Sequence, residues 1–143
     1  MKELRITKEH VWGGVLDDHK GALAEKLRAL SAGGLNLELI IARRESPGRG
    51  TLFISPLRTV QELESAEKAG LSRTGHRRIL RIEAPDTPGL GAKISTTLAD
   101  AGINLISYAA LALGGRCVTS IAFDSDADAD RAKLALEQAF AAK

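Results

Sequence analysis

The spacing of hydrophobic positions changes along the chain, and each change marks an element. Residues 11–16 (Val-Trp-Gly-Gly-Val-Leu) and 79–84 (Ile-Leu-Arg-Ile-Glu-Ala) read as strands. Apolar residues at helical spacing follow each: Leu23, Leu27 and Leu30 after the first, and Leu90, Ile94, Leu98 and Ala101 after the second. Gly34 and Gly102 fall where a helix C-cap belongs. Residues 35–43 and 103–113 then read as second strands, and residues 51–54 and 118–123 as third strands. Turn material separates them, Ser46-Pro47-Gly48-Arg49-Gly50 in one case and Gly114-Gly115-Arg116 in the other, so these strands close hairpins. Val60, Leu63 and Ala66 give a further helical face, as do Ala132, Ala135, Ala139 and Phe140. Each half is strand, helix, strand, strand, helix.

The halves also match residue by residue. A shift of 68 places Asp18 on Asp86, Gly21 on Gly89, Ala24 on Ala92 and Leu30 on Leu98. It places Gly34 on Gly102, Asn36 on Asn104 and Leu37 on Leu105, with no gap. We read a duplication, with modules at residues 1–72 and 73–143. The expected fold class is α+β. Each module is most of a ferredoxin-like βαββαβ unit, an antiparallel sheet with its helices on one face, and the two are expected side by side. The fourth strand is the weak point. Residues 71–78 offer a poor one for the first module, with Gly75 among polar and charged neighbours. The second module ends directly after its helix, so its strand is expected from residues 2–7 folding back, from a partner chain, or not at all. Open edges are usually covered by pairing, which points to a homodimer.

Composition narrows the class. The chain has 143 residues, enough for one domain or two very small ones. Apolar residues are 44% and charged residues 27%, which excludes a highly charged disordered chain. No apolar run approaches the ~20 residues that span a bilayer. Met1-Lys2-Glu3-Leu4-Arg5 carries no apolar signal core, so no membrane or secretory role is expected. The single cysteine, Cys117, excludes an internal disulfide and a cysteine-rich metal site, and a cytoplasmic setting follows. Cys117 itself reads as a buried, inert thiol.

Charge and aromatic content bear on partners. Twenty basic against 18 acidic residues leave +2, too balanced to argue for nucleic acid. Trp12, Phe53, Tyr108, Phe123 and Phe140 are the only aromatics, which leaves little for base stacking and makes an RNA-binding reading the weakest. His10, His19 and His76 are scattered, and no acid–base or nucleophile pair is evident. No enzyme, cofactor or metal is expected. The basic groups Arg73, His76, Arg77, Arg78, Arg81 and Arg43, Arg44, Arg49 read as solvated faces, with an acidic partner or a ligand phosphate as the alternative. The aspartates at 124, 126, 128 and 130 lack the glycine and terminal glutamate of a calcium loop and suit a helix N-terminus.

The repeated Asp-x-x-Gly lies between first strand and first helix, where unpaired amides and the helix dipole favour an anion. Glycine lets a ligand approach the backbone, and Pro88 suits a first helical turn. Asp18 and Asp86 suit an ammonium group. Asn36 and Asn104, opening a second strand beside the first, suit a small polar ligand. Together these suit an α-amino acid zwitterion. The alternative reading is structural: Asp18, Asp86 and Thr87 as N-caps, and the glycines and asparagines as packing and turn residues.

These motifs resemble the ACT domain, a regulatory module that binds amino acids in metabolic enzymes. The second half carries Ile-Glu-Ala-Pro-Asp-Thr-Pro-Gly-Leu-Gly and then Ala-Gly-Ile-Asn-Leu-Ile. The family pattern is a strand ending in Asp-x-Pro-Gly, a helix, then Gly-hydrophobic-Asn-hydrophobic. The first half has Asp-His-Lys-Gly and Gly-Leu-Asn-Leu, with Lys20 in place of the usual proline. The resemblance implies an effector at the interface between modules. Its contacts would be Asp18, His19, Lys20, Gly21, Ala22 and Asn36, with Asp86, Thr87, Pro88, Gly89, Leu90 and Asn104. It further implies a stand-alone tandem regulatory protein, an allosteric amino-acid sensor acting on a separate enzyme or transcription factor. A ligand-free protein-interaction module is the runner-up.

Overall fold

The computed structural model describes residues 4–141, apart from the side chains of residues 74–77. Ten elements follow in order: β1 (Arg5–Asp17), α1 (Ala22–Ala32), β2 (Leu39–Ser46), β3 (Arg49–Ser55), α2 (Val60–Lys68), β4 (Ser72–Pro85), α3 (Leu90–Asp100), β5 (Ser107–Leu113), β6 (Arg116–Phe123) and α4 (Asp126–Ala141). They divide into two compact units. One is His10–Gly75; the other joins the N-terminal segment up to Glu9 with His76 onward, and is here called the C-terminal unit. Among the described residues, no helix is long and apolar enough to cross a membrane.

In the His10–Gly75 unit the strand order is β2-β3-β1-β4, with β4 contributing only its first residues. Strand β3 pairs antiparallel with β1 from Trp12↔Ile54 to Asp17↔Arg49, and with β2 from Leu39↔Ser55. In the C-terminal unit the order is β1-β4-β6-β5, with β1 contributing the residues up to Glu9. Here β6 pairs antiparallel with β4 and with β5. Both units thus have the ferredoxin-like order, with their own α+β core.

The period-2 pattern explains which face is buried. Leu52 and Ile54 of β3 meet Leu30 of α1 and Ala66 of α2 in one core. Thr119, Ile121 and Phe123 of β6 are buried in the other unit, where Ile121 and Phe123 join Ile94 and Leu98 of α3 and Leu136 of α4. Cys117 is buried at the edge of that core.

The second strands begin later than the hydrophobic pattern predicts, at Leu39 and Ser107, because the helix ends use the intervening backbone. Gly34 and Gly102 have φ of 88° and 73°. The Gly34 amide donates to Ser31 and the Leu35 amide to Leu30. The Gly102 amide likewise donates to Ala99 and the Ile103 amide to Leu98, so both helices end in a Schellman motif. The cap residues themselves are Gly33 and Ala101, one position before the predicted glycines.

Leu4 and Ile6 pack against the core of the C-terminal unit, filling the position where a fourth strand was open; residues 2 and 3 lie outside the described residues. Lys8 Nζ lies 2.8 Å from Asp126 Oδ1 and 2.8 Å from Asp130 Oδ1, and Arg78 Nε donates to Asp126 Oδ1 at 3.1 Å. The Lys8 hydrogen bond holds the Asp126 carboxyl below its ordinary range. The basic run read as a solvated face belongs to β4: Arg73 Nη2 lies 2.7 Å from His10 Nδ1, and Arg78 sits on Asp126. The side chains of His76 and Arg77 lie outside the described residues.

One close approach fixes the two helices of the His10–Gly75 unit. A Cβ added at Gly33, where α1 ends, would fall 2.5 Å from Ser65 Cβ of α2 and closer still to its hydroxyl. Gly33 has φ of −81°, so backbone conformation does not require glycine there. Gly33→Ala should therefore lower stability by about 1–3 kcal/mol through overpacking, read as an earlier urea midpoint. Adding Ser65→Gly should recover part of the loss. An unchanged midpoint in Gly33→Ala would contradict this packing.

Candidate functional site

Both repeated loops turn from strand to helix through a left-handed glycine. Gly21 has φ 88° and ψ −8°, and Gly89 φ 87° and ψ 0°. A side chain would be strained in that region, although a Cβ added at either position would meet nothing within 4 Å. These glycines, and neither Asp18, Asp86 nor Thr87, are the N-cap residues. No side chain caps either helix. The contrast with the other two helices is direct. Thr59 Oγ1 accepts from the Glu62 amide at 3.1 Å at the start of α2, and Ser125 Oγ accepts from the Asp128 amide at 3.0 Å at the start of α4.

In the C-terminal unit the Asp86 amide donates to the Gly115 carbonyl at 2.9 Å, which ties the loop to the β5–β6 turn. The Leu90 amide closes the loop on Thr87 O at 3.2 Å, and the first helical bond runs from the Lys93 amide to Gly89 O at 2.9 Å. The amides of Gly91 and Ala92 have no hydrogen-bond acceptor among the described residues. Asp86, Thr87, Pro88 and Gly89 are exposed, while the Leu90 side chain belongs to the core. Pro88 precedes the cap rather than entering the first helical turn. Tyr108 of β5 reaches the same turn, its hydroxyl 3.3 Å from where a Cβ on Gly91 would lie.

The other loop has the same backbone. The Asp18 amide donates to Gly48 O at 3.4 Å, the Ala22 amide to His19 O at 3.2 Å, and the Glu25 amide to Gly21 O at 2.9 Å. Ala22 is buried, and the ring nitrogen Nδ1 of exposed His19 lies 3.0 Å from Lys20 O. The charge is arranged differently. Arg44 Nε lies 2.8 Å from Asp18 Oδ2, Arg44 Nη2 donates to Asp18 Oδ1 at 3.2 Å, and the Gly48 amide donates to Asp18 Oδ2 at 3.2 Å. Arg44, then Gly48, holds the Asp18 carboxyl below its ordinary value. In the ladder of the C-terminal unit, Ala112 stands where Arg44 stands. Among the described residues, the Asp86 carboxylate has no hydrogen-bond or ion-pair partner.

The asparagines do not join the loops. Each second strand pairs with the third, and the third lies between it and the first. Asn104 is exposed and precedes β5, where the Ile106 amide donates to Ala122 O. Asp86 is tied to Gly115, at the other end of β6. The eleven residues of α3 separate them by about 16 Å at 1.5 Å per residue. Asn36 is placed in the same way, since the Glu38 amide donates to Ser55 O while Asp18 is tied to Gly48. Within one unit, no small ligand touches both the aspartate and the asparagine. The sequence reading missed Arg44, Gly48, Gly91, Ala92 and Tyr108. The second and third helical positions after the repeated glycine, 91 and 92, were the available signal. Among the described residues, no group of three or more His, Cys, Asp or Glu side chains is placed to share a metal ion.

No protein-family model matches the chain, and no curated protein matches it. Solved structures do. Protein BT0572 from Bacteroides thetaiotaomicron matches with a TM-score of 0.76 at 17% identity, over 93% of this chain and 89% of that one. The ligand-free regulatory subunit of aspartate kinase from Thermus thermophilus matches with a TM-score of 0.70 at 21% identity, over 96% and 97%. Aspartate kinase from Synechocystis matches with a TM-score of 0.69 at 18% identity, over 99% of this chain and 27% of that one. These likenesses are of fold.

The Asp18–Arg44 pair has a measurable consequence. Its stabilisation is present above the ordinary carboxyl value of 3.8 and is lost as pH falls through the lower folded value. In a carbon-detected NMR titration Asp18 should protonate below 3.8, and Arg44→Ala should move it upward. An Asp18 titration that ignores Arg44→Ala would contradict the pairing.

Proposed function

We propose that this chain is a small-molecule-binding regulatory protein whose effector is an amino acid, held at residues 86–92. The observation that carries this is the Asp86 carboxylate, without a partner among the described residues, beside a helix start that no side chain caps. The Gly91 and Ala92 amides and the positive end of the α3 dipole receive the effector's carboxylate. Asp86 receives its ammonium group. The open space outside Gly89 lets the ligand reach the backbone. The ACT-like motif in both halves supports the same reading, as does the likeness in fold to an aspartate kinase regulatory subunit. The protein acts on a separate enzyme or regulator, by differential binding of the effector-loaded and effector-free forms.

The loop at residues 18–22 is the poorer site. Arg44 already holds the Asp18 carboxylate, in the place a ligand's ammonium group would take. Asn36 and Asn104 contribute nothing to a ligand held at their own unit's loop.

A thermal-shift screen of the twenty amino acids tests the reading. At a hundred times its dissociation constant the effector should add about 2.7 kcal/mol of stability, seen as a raised melting temperature. Asp86→Ala should abolish the rise and Asp18→Ala should leave it. No rise with any amino acid would overturn the proposal in favour of a ligand-free interaction module.

A further inference from the structure

Gly91 is the second residue of α3, and its backbone does not call for glycine. Its φ is not positive, and inside a helix glycine is among the poorest residues. Space accounts for it. The Tyr108 hydroxyl lies 3.3 Å from where a Cβ on Gly91 would stand, closer than a methyl group sits comfortably. Tyr108 belongs to β5, the edge strand of the C-terminal unit, and is 37% exposed. Its hydroxyl has no hydrogen-bond partner among the described residues. The duplicate has neither feature. Leu23 is the second residue of α1 and packs against the core of its unit. Ile40 stands on the edge strand β2, opposite Ile54 as Tyr108 is opposite Ile121. A donor and the gap that admits it occur together in one unit, and both are missing from the other.

We propose that the Tyr108 hydroxyl is a third donor to the effector's carboxylate, beside the Gly91 and Ala92 amides; this rests on the amino-acid site at residues 86–92. Bonds of about 1.5 Å place a Cβ about 2.5 Å from its own amide nitrogen. The Tyr108 hydroxyl therefore lies within about 6 Å of the Gly91 nitrogen. A carboxylate bridges that span, with one oxygen accepting from the amide at about 2.9 Å and the other from the phenol at about 2.7 Å. No side chain at position 91 stands between them. A phenol also donates without carrying a charge. It can sit in the site and leave the Asp86 carboxylate free for an ammonium group, whereas a cation would pair with it as Arg44 pairs with Asp18. A hydrogen bond from a neutral donor to an ionised acceptor is among the stronger ones, so the hydroxyl selects for a ligand with a free α-carboxylate.

Calorimetric titration of the full chain with each of the twenty amino acids tests this. For every amino acid that binds, Tyr108→Phe keeps the ring, removes the hydroxyl and should weaken binding about ten- to a hundredfold. Ile40→Val, at the equivalent place in the other unit, should leave the affinity unchanged. Without amino acid, Tyr108→Phe should melt with the wild type, which separates a binding role from a structural one. Tyr108 is the only tyrosine, so protein carrying isotope-labelled tyrosine gives one set of ring signals. The signal of the ring carbons beside the hydroxyl should move saturably with the same amino acids. Equal affinities in wild type and Tyr108→Phe would overturn the inference and leave the amino-acid site standing. Binding of no amino acid to the wild type would overturn the site itself, and this inference with it.

Discussion

The fold of both halves depends on one backbone constraint, the left-handed glycine between first strand and first helix. An ordinary L residue in that conformation costs roughly 1–2 kcal/mol. With glycine at 21 and 89 the chain turns into the helix within a few residues, and the loop amides of Asp18 and Asp86 reach the neighbouring hairpin turns. The turn needs no capping side chain, so the helix begins without one. Where a helix packs without this turn, as α2 and α4 do, Thr59 and Ser125 take the cap. The same constraint thus fixes the direction of α1 and α3, and in α3 the amides of the second and third residues, Gly91 and Ala92, have no acceptor among the described residues.

From this shared backbone the halves differ in surface chemistry. Arg44 neutralises Asp18 in one half, and Ala112 in the other leaves the Asp86 carboxylate without a partner among the described residues. The same exchange alters the edge strands, since Arg44 also belongs to the charged β2 and Ala112 to the uncharged β5. One divergence between the copies therefore separates them twice. The half with the open carboxylate is also the half with the open edge. Leu4, Ile6 and Lys8 supply the fourth strand of that half, and the Lys8–Asp126–Arg78 cluster binds it to α4 and β4.

Much of the fold was legible in the sequence. Leu90, Ile94 and Leu98 announced a buried helical face, and all three are in the core. The 68-residue offset located both loops, and Gly34 and Gly102 located both helix ends. Strand starts were not legible, because Leu35 and Ile103 look like strand residues but spend their amides on Schellman turns. The polar and charged residues 72–78 made a strand look poor there, since charge at an exposed position says nothing of backbone pairing, yet β4 runs from Ser72. The two loops of the candidate site were legible, and the side chains around them only in part. Sequence spacing cannot show that Asn104 lies a helix length from Asp86, or that Arg44 folds back onto Asp18. Both depend on the strand order β2-β3-β1 and its counterpart, which puts the third strand between the first two.

The central claim is that the loop at residues 86–92 receives a small zwitterion while its duplicate does not. Amide-resolved NMR titration of the full chain with each amino acid tests it most directly. The expected result is saturable movement of the Gly89, Gly91 and Ala92 amides with at least one amino acid, with Gly21, Leu23 and Ala24 unmoved. Movement confined to the Gly21 loop, or no movement at Gly89, Gly91 and Ala92 with any amino acid, would contradict it.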